Sequence, residues 1–300
     1  MSSFDPRLTP ARPDLAAAYL RGRIAAPAYA EGQIMYVSTG IADVRREPSH
    51  DAPLDTQALF GEQAMLYEDE EGWGWIQLLR DGYVGYIAMA ALNDGDYKPT
   101  HRVAVNRTPV YPCADMKMPS RRASPMGSAV RVVAYSGAFA KIGETAFVSA
   151  AHLSPIDSLE PDFVAIAERF LHSPYLWGGK TSLGIDCSGL VQVALSAAGF
   201  KAPRDSDLQE KELGTPLASG DSLRRGDLVF WPGHVGIMQS KTELLHANAH
   251  HMLVVSEPLE DAKARIARPV SLVKRLSWGS RPPIVRRRNW WRRLFNHVAD

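Results

Sequence analysis

Cysteine is scarce. Cys113 and Cys187 are the only two among 300 residues. A disulfide framework is therefore excluded, and each thiol must be explained by packing or by chemistry. Also missing is any apolar run of about 18 residues, so no membrane-spanning helix is expected. Neither sign of charge is in excess. The formal net charge is +1, which leaves no global field to argue for nucleic acid or a strongly acidic partner. The opening stretch, MSSFDPRLTPARPDLAAAYLRGRI, has no basic start followed by an apolar core. We expect no secretory signal and, by default, a cytoplasmic location.

What is present suits globular domains. Hydrophobic residues make up 45% and charged residues 22%, enough for real cores. The length suggests two or three domains. Residues 1–32 read as an arm with one short helix in DLAAAYLRGRIAA. From 33 to 95 short strand-like segments follow one another: QIMYVS, TQALF, QAMLYE, GWGWIQLL and YVGYIA. This spacing favours a small barrel or sandwich. Residues 98–155 echo that layout in degenerate form. VNRTPVY aligns with VRREP, and AFVSAAHL with YIAMAAL, which argues for duplication. Residues 158–275 change character. PDFVAIAERFLH and CSGLVQVALSAAGF fit helices, with Gly199 as a stop. GDLVFW, HVGIMQ and ELLHAN then read as consecutive strands, which indicates an α+β domain. Residues 276–300 form a basic, aromatic tail.

Cys187 stands where a Gly-rich stretch gives way to an apolar-periodic helix. A helix N-terminus stabilises a thiolate, and its free N–H groups suit the oxyanion of a tetrahedral intermediate. An isolated free cysteine is more often a small buried hydrophobe, but the D-C-S-G context favours a nucleophile. His234 follows a Pro-Gly turn at the start of one strand, and His246 lies on the next. Adjacent antiparallel strands can bring two such side chains together on one face. A thiol nucleophile needs a base within reach, and the base needs a partner that fixes its tautomer. A lone histidine on a strand is usually just a satisfied core or surface residue, so neither histidine is decisive alone.

Taken in order, YLWGG, DCSGLVQ, PRDSDLQ, GDLVFW, HVGI and LLHAN resemble the NlpC-type family of bacterial cell-wall cysteine peptidases, over roughly residues 160–255. GWGWIQLLRDGYVGYI resembles a bacterial SH3-like domain. The resemblance implies a papain-like α+β catalytic domain preceded by two small all-β SH3-like barrels. It also implies that Cys187 attacks, His234 acts as base and then acid, and His246 orients His234. In relatives joined to SH3-like domains it further implies that Asp186 and Asp205 hold the free amine of an L-Ala-γ-D-Glu peptide. Ser188 and Ser206 stand beside them as substrate-binding residues, and Tyr83 closes that end. Asp186 reads equally well as a helix N-cap, and Tyr83 as a barrel-face aromatic.

Weaker signals complete the reading. HANAHH holds His246, His250 and His251, but no Cys pair or carboxylate motif accompanies them, so no metal or other cofactor is expected. Cys113 in VYPCAD reads as packing. The tail RRRNWWRRLF either lies on an anionic membrane or is solvated. The function expected is hydrolysis of the γ-D-glutamyl–diamino acid bond of short murein peptides, in wall recycling. A wall-binding scaffold with an inactive catalytic domain and a papain-like acyltransferase are the alternatives.

Overall fold

The alternating segments at the start of the chain become strands, because period-two burial suits a sheet with one face in the core. Val44 and Ala42 are buried while Ile41, Asp43 and Arg45 are half-exposed. In the computed structural model, which describes residues 4–218 and 220–277, the chain divides into two units. One ends at Ile156 and the other begins at Asp157.

The first unit is built almost wholly from strands. A seven-stranded antiparallel sheet runs in the order Leu54–Leu59, Ile41–Arg45, Val84–Ala88, Trp73–Leu78, Gln63–Glu70, Gln33–Val37, Leu92–Asp94. Its core contains Val37, Val44, Ile76, Leu78, Ile87 and Leu92. Two of the seven strands, Ile41–Arg45 and Leu92–Asp94, lack a conspicuous apolar run. Residues 101–155 form three short sheets around a separate core of Val103, Val110, Val130, Val148 and Leu153. Both segments contain a strand, one 3₁₀ turn and a second strand: Val84–Ala88, Met89–Ala91, Leu92–Asp94, and Ala146–Ser149, Ala150–His152, Leu153–Pro155. The Ala-rich arm differs from its expected helix. Leu15–Ala17 is a buried strand paired with Ala28–Ala30, and only Ala18–Leu20 turns, as 3₁₀. Burial of Leu15–Ala17 against a neighbouring strand outweighs alanine's weak helical preference.

The second unit combines four helices with a six-stranded antiparallel sheet. The helices are α1 (Phe163–Glu168), α2 (Cys187–Ala197), α3 (Ser206–Glu212) and α4 (Leu259–Ile266). The sheet order is Thr215–Pro216, Leu272–Arg275, Leu228–Trp231, His234–Met238, Glu243–Asn248, Leu253–Pro258. Helix α2 is buried over most of its length and packs on the His234–Met238 strand. It stops where the sequence places its stop. Gly199 has φ +84°, and the Phe200 N–H donates to the Leu195 carbonyl, closing the last turn. No described helix is long and apolar enough to cross a membrane. The basic run RRRNWWRRLF lies outside the described residues.

Candidate active site

Asp186 starts α2. Its carboxylate accepts from the Gly189 N–H at 2.7 Å, an N-cap that fixes Cys187 as the first helical residue. Glycine at 189 permits a close approach. A Cβ there would meet the Gly179 carbonyl oxygen at 2.4 Å. Opposite α2, the Pro232–Gly233 turn joins the Leu228–Trp231 and His234–Met238 strands, with Trp231 paired to His234. Gly233 supplies φ +78° at the turn position that demands a left-handed residue. These two devices bring the sulfur to the sheet. The backbone N–H groups of Val235 and Ser188 both donate to Cys187 Sγ, and Val235 is the residue after His234.

The histidines meet as the strand register dictates. His234 Nε2 lies 2.8 Å from His246 Nδ1, with the rings tilted by 63°. That leaves Nδ1 as the His234 nitrogen available to a thiol. His246 is fully buried. Its Nε2 lies 2.6 Å from Glu257 Oε1. Glu257 in turn is held by Arg265, whose Nη1 donates to Oε2 at 2.6 Å and whose Nη2 donates to Oε1. Burial pushes Glu257 up, but the bonds from Arg265 and His246 outweigh it and hold the carboxyl down to about 2. It is therefore ionised at neutral pH. His234, His246, Asn248, His250 and Arg265 line a small cavity beside the pair.

Electrostatics correct one expectation. The helix N-terminus was expected to depress the Cys187 thiol. Instead burial, with the neighbouring Asp186 charge, pushes it up to about 12, although the Val235 and Ser188 amides and Arg204 act the other way. Removing an ion from water outweighs two amide bonds and a half-dipole. Burial likewise lowers His234 to about 3, helped by His246 and Arg265 and opposed by Glu257. Burial thus favours the neutral form of both the thiol and the imidazole. Tyr175, from YLWGG, is also pushed up, chiefly by burial and then by the neighbouring Asp186 charge.

The expected amine ligands fare differently. Asp186 is already committed. Oδ1 accepts from Gly189 N–H, Ser188 Oγ (3.3 Å) and Arg204 Nη1 (3.0 Å), and Oδ2 from Gly178 N–H (2.8 Å) and Arg204 Nη2 (2.7 Å). These donors already use the roughly four lone-pair sites of a carboxylate. The cap reading holds, with Arg204 as the balancing cation. Ser188 Oγ accepts from Arg204 at 2.9 Å and is buried in the same cluster. Asp205 is half-buried at the start of α3 and makes no capping bond there, with Ser206 next to it. Tyr83 belongs to the first unit, where its ring joins the apolar core. Arg204, Glu257 and Arg265 were missed in the sequence. Arg204 was detectable, since it lies inside PRDSDLQ and a buried Asp186 needs a cation. Among the described residues no group of three or more His, Cys, Asp or Glu side chains is placed to hold a metal. His251 instead bonds Asn248 Oδ1 through its N–H at 2.8 Å. Cys113 is exposed, so it does not serve as packing.

Comparison with known proteins places this geometry. Residues 172–266 match the NlpC/P60 family. That match lies within the second unit. Residues 44–92 match the bacterial dipeptidyl-peptidase Sh3 domain. Dipeptidyl-peptidase 6 of Lysinibacillus sphaericus is 37% identical over 101 residues, 33% of this chain and 36% of that protein. The γ-D-glutamyl-L-lysine dipeptidyl-peptidase of Bacillus cereus is 24% identical over 206 residues, 59% of this chain and 60% of that one. The matches thus span between about a third and three fifths of these relatives. A crystal structure of an NlpC/P60 family protein from Bacillus cereus superposes with a TM-score of 0.70 at 17% identity, covering 81% of this chain and 99% of that one. Cys187, His234 and His246 all lie within the residues that match the NlpC/P60 family.

Proposed function

We propose that this chain is a cysteine peptidase that hydrolyses the γ-D-glutamyl–diamino acid bond of small murein peptides beginning with free L-Ala, in the cytoplasm, where it recycles wall fragments. The observation that carries the reading is the bonded His234–His246 pair, with His234 on the strand against which α2, headed by Cys187, packs. His234 Nδ1 takes the thiol proton as sulfur attacks the scissile carbonyl, and a thioester forms as the bond to the diamino acid breaks. The same proton passes to the leaving amine. Water, deprotonated by His234, then cleaves the thioester and restores the thiol. The Cys187 N–H, at the start of α2, is the donor offered to the developing oxyanion. The similarity to dipeptidyl-peptidases named for γ-D-glutamyl-L-lysine supports the substrate class. The intact Cys–His pair disfavours an inactive scaffold.

In this reading Asp205, half-buried at the start of α3, helps to hold the free amine of L-Ala. Comparing free and N-acetylated L-Ala-γ-D-Glu-diaminopimelate tests it. A site built around a buried polar partner rejects the analogue lacking it by about 10⁴-fold. Equal cleavage of the two peptides overturns the amine-pocket part of the proposal.

A further inference from the structure

The chain of side chains does not end at His246. The Glu243–Asn248 and Leu253–Pro258 strands pair with Leu244 opposite Glu257 and His246 opposite Val255. Glu257 is thus the diagonal neighbour of His246 on one face, close enough for long side chains to touch. Arg265, from α4, grips both Glu257 oxygens. The carboxylate is 13% exposed and His246 is not exposed at all. Neither Glu257 nor Arg265 belongs to the sequence motifs that carry Cys187 and His234.

We propose that Glu257, locked by Arg265, is a positioning residue that fixes the tautomers of both histidines. The argument rests on the peptidase reading only for its kinetic arm. A carboxylate 2.6 Å from His246 Nε2 can only accept, so Nε2 carries the proton. Asn248 Nδ2 also lies 3.0 Å from Nε2, but a closer, charged acceptor decides the tautomer. His246 Nδ1 then presents a lone pair to His234 Nε2, 2.8 Å away, so His234 Nε2 carries its proton. His234 Nδ1 is left as a lone pair, the form needed to take a thiol proton. One fixed charge thus orders two neutral imidazoles in series.

Glu257→Gln tests this. The amide has one oxygen, and Arg265 claims it, so the amide NH₂ turns to His246 Nε2. The tautomers of both histidines then reverse, and His234 Nδ1 is left protonated. We expect kcat to fall about 10–100-fold, the range for loss of an orienting partner, with KM within about twofold. Arg265→Gln keeps the carboxylate and should lose clearly less than Glu257→Gln. A purely structural ion pair predicts equal losses from either side, and that result overturns the proposal, as does an unchanged kcat in Glu257→Gln. A measurement on the unmodified full chain needs neither variant to fold. Ring ¹⁵N shifts at pH 7 should show His246 protonated at Nε2 with a lone pair at Nδ1, and the opposite pattern overturns the assignment. If no murein peptide is cut, the substrate reading fails while the ring ¹⁵N test still stands.

Discussion

Replacing Arg204 by methionine should destabilise the catalytic unit severely. Arg204 is 1% exposed, and its guanidinium donates to both oxygens of a buried Asp186 at 3.0 and 2.7 Å. Methionine fills similar space but removes two charge-assisted bonds and leaves the carboxylate buried beside an uncharged side chain. Breaking a buried pair from one side costs about 3–5 kcal/mol, because the surviving charge has lost its partner. In a unit of this size each kcal/mol lowers the midpoint by about 4 °C, so the unfolding transition of this unit should fall by roughly 10–20 °C. The charge argument makes a second demand. Adding Asp186→Asn removes the orphaned charge while keeping a good N-cap, so the double variant should recover about 2 kcal/mol or more. Calorimetry or urea titration on the full chain, following the transition of the catalytic unit, reads both. A loss under about 1 kcal/mol in Arg204→Met, or a double variant no more stable than the single, would refute the reasoning.

Other outcomes follow from the same geometry. Alkylation of Cys187 by iodoacetamide, read in a Cys113→Ser background, should keep accelerating as pH rises past 9, because burial pushes the thiol up to about 12; a plateau below pH 8 would mean a preformed thiolate. Because His234 is lowered to about 3 in the fold against about 6.5 unfolded, its contribution is fully present above pH 6.5 and lost as pH falls towards 3. Denaturation midpoints at pH 7 and pH 5 should therefore differ, and by less in His234→Gln. Asp205→Asn should shrink the preference for free over N-acetylated peptide, read as a ratio of kcat/KM, and an unchanged ratio removes Asp205 from the amine pocket.

Much of the site was legible because its chemistry sits in contiguous motifs. Asp186-Cys187-Ser188-Gly189 places a thiol at a helix start, and Pro232-Gly233-His234 places a base at a strand start. Glu257 was not legible. It belongs to a strand, Leu253–Pro258, in which only Val254 is buried, so no buried alternation announced it, and its importance comes from the diagonal across to His246. The direction of the Cys187 shift also escaped the sequence, which shows a helix N-terminus but not how completely a thiol is withdrawn from water. Asp186 was ambiguous for a related reason. A carboxylate before a helix is both a cap and a ligand until its donors are counted. Among the strands, QIMYVS, GWGWIQLL and GDLVFW stood out as apolar runs, whereas Leu92–Asp94 pairs only through the sheet around it.

The central claim is that Cys187 cuts a γ-D-glutamyl bond. Mass analysis of L-Ala-γ-D-Glu-diaminopimelate incubated with the full chain, beside its Cys187→Ala variant, tests it most directly. The unmodified chain should release L-Ala-D-Glu and free diaminopimelate, and the variant should leave the peptide whole. An intact peptide with the unmodified chain, or equal cleavage by both, would contradict the account.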